Sequence, residues 1–578
     1  MAFQVSPGVQ VKEIDATSVI PAVSTSIGGY AGAFDWGPVE EITLVSSEDN
    51  MASIFSTPTN ATAESFLTAA SFLKYGNALK VIRVVDATAK NASATGTQTI
   101  LVKNKTVLEN TTFQAGSVGW AIAKFPGKLG NSLKVEVCVA GSSSSFSSWG
   151  ARDQFDDAPG TSDFAKGLGF TVASDEVHVA VIDNDGNISG TPGTILETFA
   201  FMSQSSDAKD SSGSSIYYKN VINNQSQYIA VGEGLSTLSA LNGQGSNGAA
   251  DLPIAEALTD ATQSFGSLFN STALGGGEDG AAVDQGEIVN GLDLFADPET
   301  VDVNLLFSTP DAGSTDKTIA EKLIAVAAAR KDCMAFVSPS ILNSRSASAA
   351  STIADWASGT NGLTSTSYAS CDSGAVYVYN KYADEYLYIG AGGLCAGLCA
   401  NTDSVADAWF SPAGVNRGQL LGVTKLAYNP TKAQRDELYK ARVNPLVSFP
   451  GQGTMLFGDK TLLSRPSAFD RINVRRLFNT LEKAISTAAK AQLFELNDEF
   501  TRAQFRNMIE PFLRDVKGRR GLTDFLVVCD DSNNTGQVVD TNRFVADIYI
   551  KPARSINFIT LNFIATRTGV DFSEVAGG

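Results

Sequence analysis

The stretch Val301–Val337, VDVNLLFSTPDAGSTDKTIAEKLIAVAAARKDCMAFV, decides the fold class. Val301 to Phe307 reads as a strand, Thr318 to Arg330 as a helix and Asp332 to Val337 as a second strand. Strand, helix and strand in close succession imply a parallel sheet with crossover helices. The alternation continues with a helix at Ser344 to Ser358 and a strand at Ala375 to Tyr379. Upstream, Thr25 to Pro38 suits a buried strand followed by a turn, Ala63 to Tyr75 a helix, and Lys80 to Val85 a buried strand of the same sheet.

Between these two parts the composition changes. From Thr88 to Ala273 the chain is rich in Ser, Thr, Asn and Gly, with short alternating runs at Leu133 to Val139 and Val177 to Ile182. The turn Asp183-Asn-Asp-Gly186 signals a hairpin. A β-rich insertion therefore interrupts the α/β domain, with loops expected at Ser203 to Ser215 and Asn242 to Ala249.

The C-terminal run from Asn444 to Phe572 differs again. One helix carries Val474, Leu477, Leu481 and Ile485 at spacings of three and four, with Arg471, Arg475, Arg476 and Lys483 on its other faces. A second opens at Thr501 and Gln504 in capping-box spacing and buries Phe505, Ile509, Phe512 and Val516. Arg502, Arg506, Arg514 and Lys517 occupy its polar side, followed by Arg519 and Arg520. Strands are expected at Leu526 to Cys529, Phe544 to Ile550 and Ile556 to Ile564. The last of these, with Ile556, Phe558, Ile559, Leu561 and Phe563, has no evident neighbour. The same holds for the N-terminal arm with Phe3, Val5, Val9 and Val11, so both ends present strand edges in need of a sheet.

At 578 residues the chain exceeds a single hydrophobic core. It holds no apolar run long enough to cross a bilayer, Tyr386 to Ala400 being too short and glycine-rich, and MAFQVSPGVQ lacks the pattern of a secretory signal. The net charge of −18 is unevenly placed. Residues 411–520 hold nineteen Lys or Arg against ten Asp or Glu, a local balance of +9 that leaves −27 elsewhere. Such asymmetry favours oriented contact between subunits or with a partner over nucleic-acid binding, for which the basic residues are too interleaved with acids.

Motifs of chemistry are weak. Gly453 to Thr461, GTMLFGDKT, begins like a phosphate loop, but Asp459 stands where the lysine should follow the second glycine. LGGGEDG at Leu274 to Gly280 has no dinucleotide-binding spacing. Cys395 and Cys399 form the closest pair among six cysteines, without zinc spacing, and read as small buried residues of one helix. His178 is the single histidine. A hydrolase built on it with Asp183 or Asp185 is the different-class alternative, against the plainer reading of a strand histidine satisfied by local carboxylates. No enzyme, metal or cofactor is expected, and a surface adhesin would require export.

Several stretches, taken together and in order, resemble the tail sheath subunit of contractile-tailed bacteriophages. These are SPGVQVKEID at Ser6–Asp15, GGYAGAFDWGP at Gly28–Pro38 and SFLKYGNALKVIRVVD at Ser71–Asp86. PGKLGNSLKVEV at Pro126–Val137 and DEVHVAVIDNDGNISGTPGTILETF at Asp175–Phe199 resemble the outer domains of longer members. LGGGEDG, SPAGVNRGQLLGV, VNPLVSFPGQGTMLFGDKTL, NVRRLFNTLEKAI and NRFVADIYIKPARSINFITLNF complete the order.

The resemblance implies a multidomain chain of mixed α/β and α+β class. Its expected parts are an N-terminal arm at 1–20, a central α/β domain at 21–87 and 274–440, inserted β-rich outer domains at 88–273, and an inner α+β domain at 441–578 ending in a strand arm. It further implies six-membered rings stacked helically around a tail tube protein, with baseplate and tail terminator proteins as further partners. Neither nucleic-acid binding nor membrane insertion is implied. The terminal arms would add strands to neighbouring subunits, and contraction would drive the tube through the host envelope. The setting would be the virion tail, reached after assembly in the host cytoplasm. The nearest alternative is the sheath of a non-phage contractile injection system. Arg471, Arg475, Arg476, Arg502, Arg506, Arg514, Lys517, Arg519 and Arg520 are expected to face the tube or to form intersubunit pairs.

Overall fold

The computed structural model describes residues 24–96, 99–114, 116–140, 146–237, 250–258, 263–265 and 269–557. The arm residues Phe3, Val5, Val9 and Val11, and Phe558, Ile559, Leu561 and Phe563 of the last expected strand, lie outside the described residues. The chain divides into two compact units, one of Ser24–Ala406 and Pro412–Asp470, the other of Asp407–Ser411 and the chain from Arg471 onward.

The first unit opens with β1 (Gly28–Ala33), β2 (Ile42–Val45), α1 (Glu48–Phe55), α2 (Ala63–Leu73) and β3 (Leu79–Val84). The insertion supplies β4 (Ala121–Ala123), β5 (Leu133–Val139), β6 (Glu176–Asp183), β7 (Thr194–Ser203), α3 (Tyr218–Gln225), β8 (Ile229–Val231) and β9 (Phe269–Ala273). Regular alternation resumes with α4 (Gln285–Asp293), β10 (Leu305–Ser308), α5 (Thr318–Arg330), β11 (Met334–Val337), α6 (Ala349–Ser358) and β12 (Ala369–Asp372). Then come β13 (Val376–Asn380), β14 (Glu385–Ile389), α7 (Gly392–Val405), β15 (Val423–Leu426), α8 (Lys432–Lys440), β16 (Val443–Asn444), β17 (Leu446–Phe449) and β18 (Gly453–Leu456).

Seven strands form the central sheet in the order β16-β12-β11-β10-β1-β3-β2. All neighbours pair in parallel except β2, which runs antiparallel to β3 at the edge. Gly28 aligns with Leu79 on one side and Leu305 on the other, so strands flanking the insertion meet in one sheet. Parallel strands buried on both faces are continuously apolar, as the sequence led us to expect. One face is covered by α4, α5 and α6, whose Leu292, Leu323 and Ile353 share a core with Ile82 and Leu306. Helices α2 and α7 pack together. Here Gly393 and Gly397 are required, since a Cβ would run into Ser71 and Thr68 at the first and the Tyr75 ring at the second. Cys395 and Cys399 are buried within α7.

Three expectations need correction. Ala375 to Tyr379 does not continue the parallel sheet. Its strand β13 is the middle of an antiparallel sheet, β14-β13-β15, while Ala369–Asp372 takes the parallel place. That tetrapeptide, Ala-Ser-Cys-Asp, is too short and polar to announce a strand. The expected helix from Ser344 to Ser358 is broken into Ile341–Ser344 and α6. Serine side chains at this break bond locally, as in Ser348 N–H to Ser346 Oγ at 3.3 Å. Residues 441–470, expected with the C-terminal domain, cluster with the first unit because β16 completes the parallel sheet and β17–β18 follow it as a hairpin.

In the insertion, β7-β6-β5-β9 form an antiparallel sheet and β4-β8 a small ribbon. The β6–β7 connection is longer than the tight turn at Asp183–Gly186 suggested. The Asp183 carboxylate gathers the N–H groups of Gly186, Ile188 and Ser189 at 2.7–3.0 Å and the Ser132 hydroxyl at 2.6 Å, closing a wide loop instead.

The second unit contains α9 (Ile472–Ala489), α10 (Glu499–Gly518), β19 (Leu522–Val528) and β20 (Asp547–Pro552). Leu477, Leu481, Phe505, Ile509, Leu513 and Val516 form its core with Leu522, Val527 and Trp409. The α10 N-cap is Asp498, whose carboxylate accepts the Thr501 N–H at 2.8 Å. The expected Thr501–Gln504 capping box is thus replaced by a simple N-cap one turn earlier, with a better acceptor. Ile556 is exposed and belongs to no strand.

Candidate functional site

The basic residues singled out in the sequence separate into buried and exposed sets. Arg475 is 4 % exposed, donating from Nε to Asn479 Oδ1 at 2.9 Å and pairing with Glu482 at 3.3 Å one and two turns along α9. Arg476 is equally buried. Arg502 is buried too, donating to Asn497 Oδ1 at 2.9 Å and to Asp531 at 2.6 Å. These three, expected on polar faces, are internal braces instead. A guanidinium can be buried when its planar fork finds carboxylate, amide and carbonyl acceptors; those of Arg475 lie on its own helix, whereas Asp531, which Arg502 reaches, lies beyond the end of its helix. Arg471 and Arg506 are half-buried.

Arg514, Lys517, Arg519 and Arg520 are exposed at the C-terminal end of α10. Lys517 bonds Asp524 at 3.0 Å and holds that carboxyl below the usual range. Arg519 pairs with Asp407 and lies 5.2 Å from the centroid of the Trp409 ring. Arg520 sits at φ +68°, two residues before β19. Cations at this end also complement the helix dipole. Asp407 and Trp409 lie more than a hundred residues upstream, so nothing in the local pattern could have identified them.

Beside this basic cluster, β19 and β20 form a two-stranded antiparallel ribbon. Leu526 and Tyr549 stand directly opposite each other, 58 % and 59 % exposed. Among the described residues neither outer edge of the ribbon has a further strand. An isolated ribbon is marginal in water, and its free edges offer backbone donors and acceptors to another strand.

The other motifs resolve into structure. The stretch from Gly453 is the second arm of a hairpin, which rules out the strand-to-helix geometry of a phosphate loop. His178 is fully buried and stacked on Phe155 with ring centroids 4.5 Å apart. Its Nδ1 accepts the Phe201 N–H at 3.0 Å, so Nε2 carries the proton and donates to the Asp157 carbonyl at 2.9 Å. Backbone groups therefore satisfy it, rather than the carboxylates expected, and burial lowers its pKa. Among the described residues no cluster of His, Cys, Asp and Glu could hold a metal, and no helix is long and apolar enough to cross a membrane.

Three family models match parts of the chain. Residues 464–566 match the phage tail sheath C-terminal domain, residues 281–462 the phage tail sheath protein central domain, and residues 25–84 the N-terminal region of tail sheath protein Gp18 domain III. The tail sheath protein of Vibrio phage KVP40 is 36 % identical, covering 99 % of both chains. The chain belongs to the phage tail sheath family. The tail sheath protein of Enterobacteria phage T4 is 32 % identical to the sheath chain, again over 99 % of each. In fold, the sheath chain is similar to the sheath tail protein of Listeria innocua, with a TM-score of 0.52, 12 % identity and 93 % of each chain covered. Its relatives are structural tail proteins, not enzymes.

Proposed function

We propose that this chain is the repeating subunit of a contractile phage tail sheath. Six copies form a ring, and rings stack helically around the tail tube protein, bounded by baseplate and tail terminator proteins. The subunits assemble in the host cytoplasm and act in the virion tail. The second unit, with both terminal arms, is the part that meets the tube.

The observation that carries this reading is the β19–β20 ribbon, whose two edges are open among the described residues. Strands donated by neighbouring subunits would complete it, giving backbone links that survive while domains rotate. Head-to-tail links of this kind generate helices instead of closed dimers. Contraction then requires two packings of one chain, the compact one lower in free energy, with no nucleotide consumed. The exposed cations at the end of α10 suit contacts to the tube or to neighbours. Exposed ion pairs are worth roughly 0.2–1 kcal/mol each and can be exchanged during such a rearrangement.

The test is truncation. Removing residues 1–20, or residues 555–578, is expected to leave a folded soluble monomer that forms no sheath by negative-stain microscopy. Normal tubules from either truncation would refute the reading.

A further inference from the structure

Two exposed surfaces remain that the arm-exchange reading does not use. The first lies between α9 and α10, where Leu493, Leu496 and Phe500 are 62 %, 77 % and 76 % exposed and Phe494 stands wholly in solvent. Four large apolar residues within eight positions are more than chance exposure supplies. Phe494 also holds φ +73°, a conformation that bulky side chains rarely adopt. The turn is fixed by local bonds, Leu493 N–H to Lys490 O and Glu495 N–H to Gln492 O, both at 3.3 Å. The result is a rigid apolar knob. Glu495 and Glu499 flank it, exposed and without an ion pair among the described residues.

The second surface is the outer face of the β14-β13-β15 sheet in the first unit. Tyr377 stands opposite Tyr388, and Tyr379 opposite Tyr386, so four rings line one side of the sheet. Adjacent rings touch, with centroids 4.6 Å apart for Tyr377–Tyr388 and 5.1 Å for Tyr379–Tyr386. Lys425 Nζ lies 4.5 Å from the Tyr377 centroid, and Arg345 Cζ lies 5.1 Å from that of Tyr388. Both cations are exposed and lack a carboxylate partner among the described residues. The nearest acids in the hairpin, Asp384 in the turn and Glu385 at the start of β14, stand at the end of the tyrosine row away from Lys425 and Arg345, Asp384 accepting the Tyr379 hydroxyl at 2.8 Å. Tyrosine supplies contact area with few rotamers to freeze, and aromatic residues with Arg are enriched where proteins meet.

We propose that the knob at Leu493–Phe500 of one subunit docks on the tyrosine face of a second copy of this chain. The two surfaces match in kind. An apolar, acid-flanked projection meets an aromatic, cation-flanked sheet, with Glu495 and Glu499 complementing Lys425 and Arg345. Among the described residues neither surface has a cover, and the complementary charges select a second copy as the occupant. The contact joins different patches of two identical chains, and it propagates as a helix does. It rests on the proposed sheath assembly but uses neither terminal arm.

The experiment places a photoreactive benzoylphenylalanine at position 494 of the full-length chain and mixes isotopically light and heavy copies. Mass spectrometry of irradiated tubules is expected to find light-to-heavy cross-links from position 494 to residues 377–388. Cross-links confined to one chain, or to any other surface, overturn the proposal. In parallel, Phe494→Ser with Leu496→Ser, and Lys425→Glu with Arg345→Glu, should each cut the polymer fraction at least tenfold with thermal unfolding unchanged. Adding Glu495→Lys and Glu499→Lys to the Lys425→Glu, Arg345→Glu chain should recover most of that loss. Wild-type polymer yield from the serine variant, or no recovery by the charge exchange, also overturns it. If the unsubstituted chain forms no polymer, the sheath reading fails, and the same light-to-heavy cross-link in the concentrated soluble chain still decides the contact.

Discussion

Arg83 on β3 donates from Nη2 to the carbonyl oxygen of Pro126 at 2.8 Å, tying the central sheet to the inserted β-rich segment. The same guanidinium bonds Phe34 O and Gly37 O, each at 2.8 Å, and Asp35 O at 3.2 Å. It is 1 % exposed, and burial pushes its pKa down to about 10. Replacing it by methionine keeps the bulk and leaves several buried carbonyls without donors, at about 1–3 kcal/mol for each one orphaned. Arg83→Met should therefore lose about 3 kcal/mol or more in urea unfolding. An unchanged midpoint would show that water replaces the clamp without cost.

Asp372, at the end of β12, is fully buried and accepts the Ser338 hydroxyl at 2.5 Å and the Gly374 N–H at 2.8 Å. Burial raises its pKa to about 7. The folded value lies above the unfolded one of about 3.9, so the unfolded chain releases this proton first and stability falls as pH rises from about 4 to 7. The slope approaches ~1.4 kcal/mol per pH unit for one proton. Asp372→Asn should gain on the wild type across that window when thermal midpoints are compared at pH 5 and pH 7.5. Glu64, also raised to about 7 by burial, is common to both proteins and cancels in the difference. Parallel pH profiles would refute the assignment.

His178 carries the opposite sign. Its neutral form is held by Phe201 N–H and Asp157 O, and burial depresses its pKa. Its contribution is full above the unfolded value of about 6.5 and is lost as pH falls through the lowered folded value. His178→Gln should remove this acid-side loss, narrowing the drop in stability of the inserted sheet between pH 7 and pH 5. A drop equal to that of the wild type would place the titrating group elsewhere.

How far the sequence determined these features depends on the range of each interaction. The α5 helix and its flanking strands were legible because periodicity and burial act within a dozen residues, and Thr318–Arg330 emerged with the expected bounds. The helical stripe of α9 was equally local. What failed were properties set by distant partners. Arg502 looked solvent-facing because nothing in helical spacing shows that Asp531, beyond the end of its helix, will accept its hydrogen bond. The strand Ala369–Asp372 was hidden because its place depends on Ala335 and Val443 alongside, not on its own residues.

The distinction between buried and exposed cations gives the last prediction. Arg519 and Arg520 are exposed, and Arg519 meets Asp515 at 3.7 Å, the Asp407 carboxylate, which is itself 14 % exposed, and the Trp409 ring. Arg519→Glu with Arg520→Glu should cost the monomer about 1–2 kcal/mol, most of it from the half-hidden Asp407. Because like charges would then face whatever acidic surface these cations meet, the double variant should assemble poorly or release its tube at low salt. Arg502→Ala is the contrasting case, since it empties the space of a buried side chain and removes its bonds to Asn497 and Asp531, and should destabilise the second unit by about 2–4 kcal/mol before assembly is reached. Thermal unfolding separates the two, and tube retention in co-expressed particles reads the first. Full assembly and tube retention by the Arg519, Arg520 variant would remove these cations from the interface.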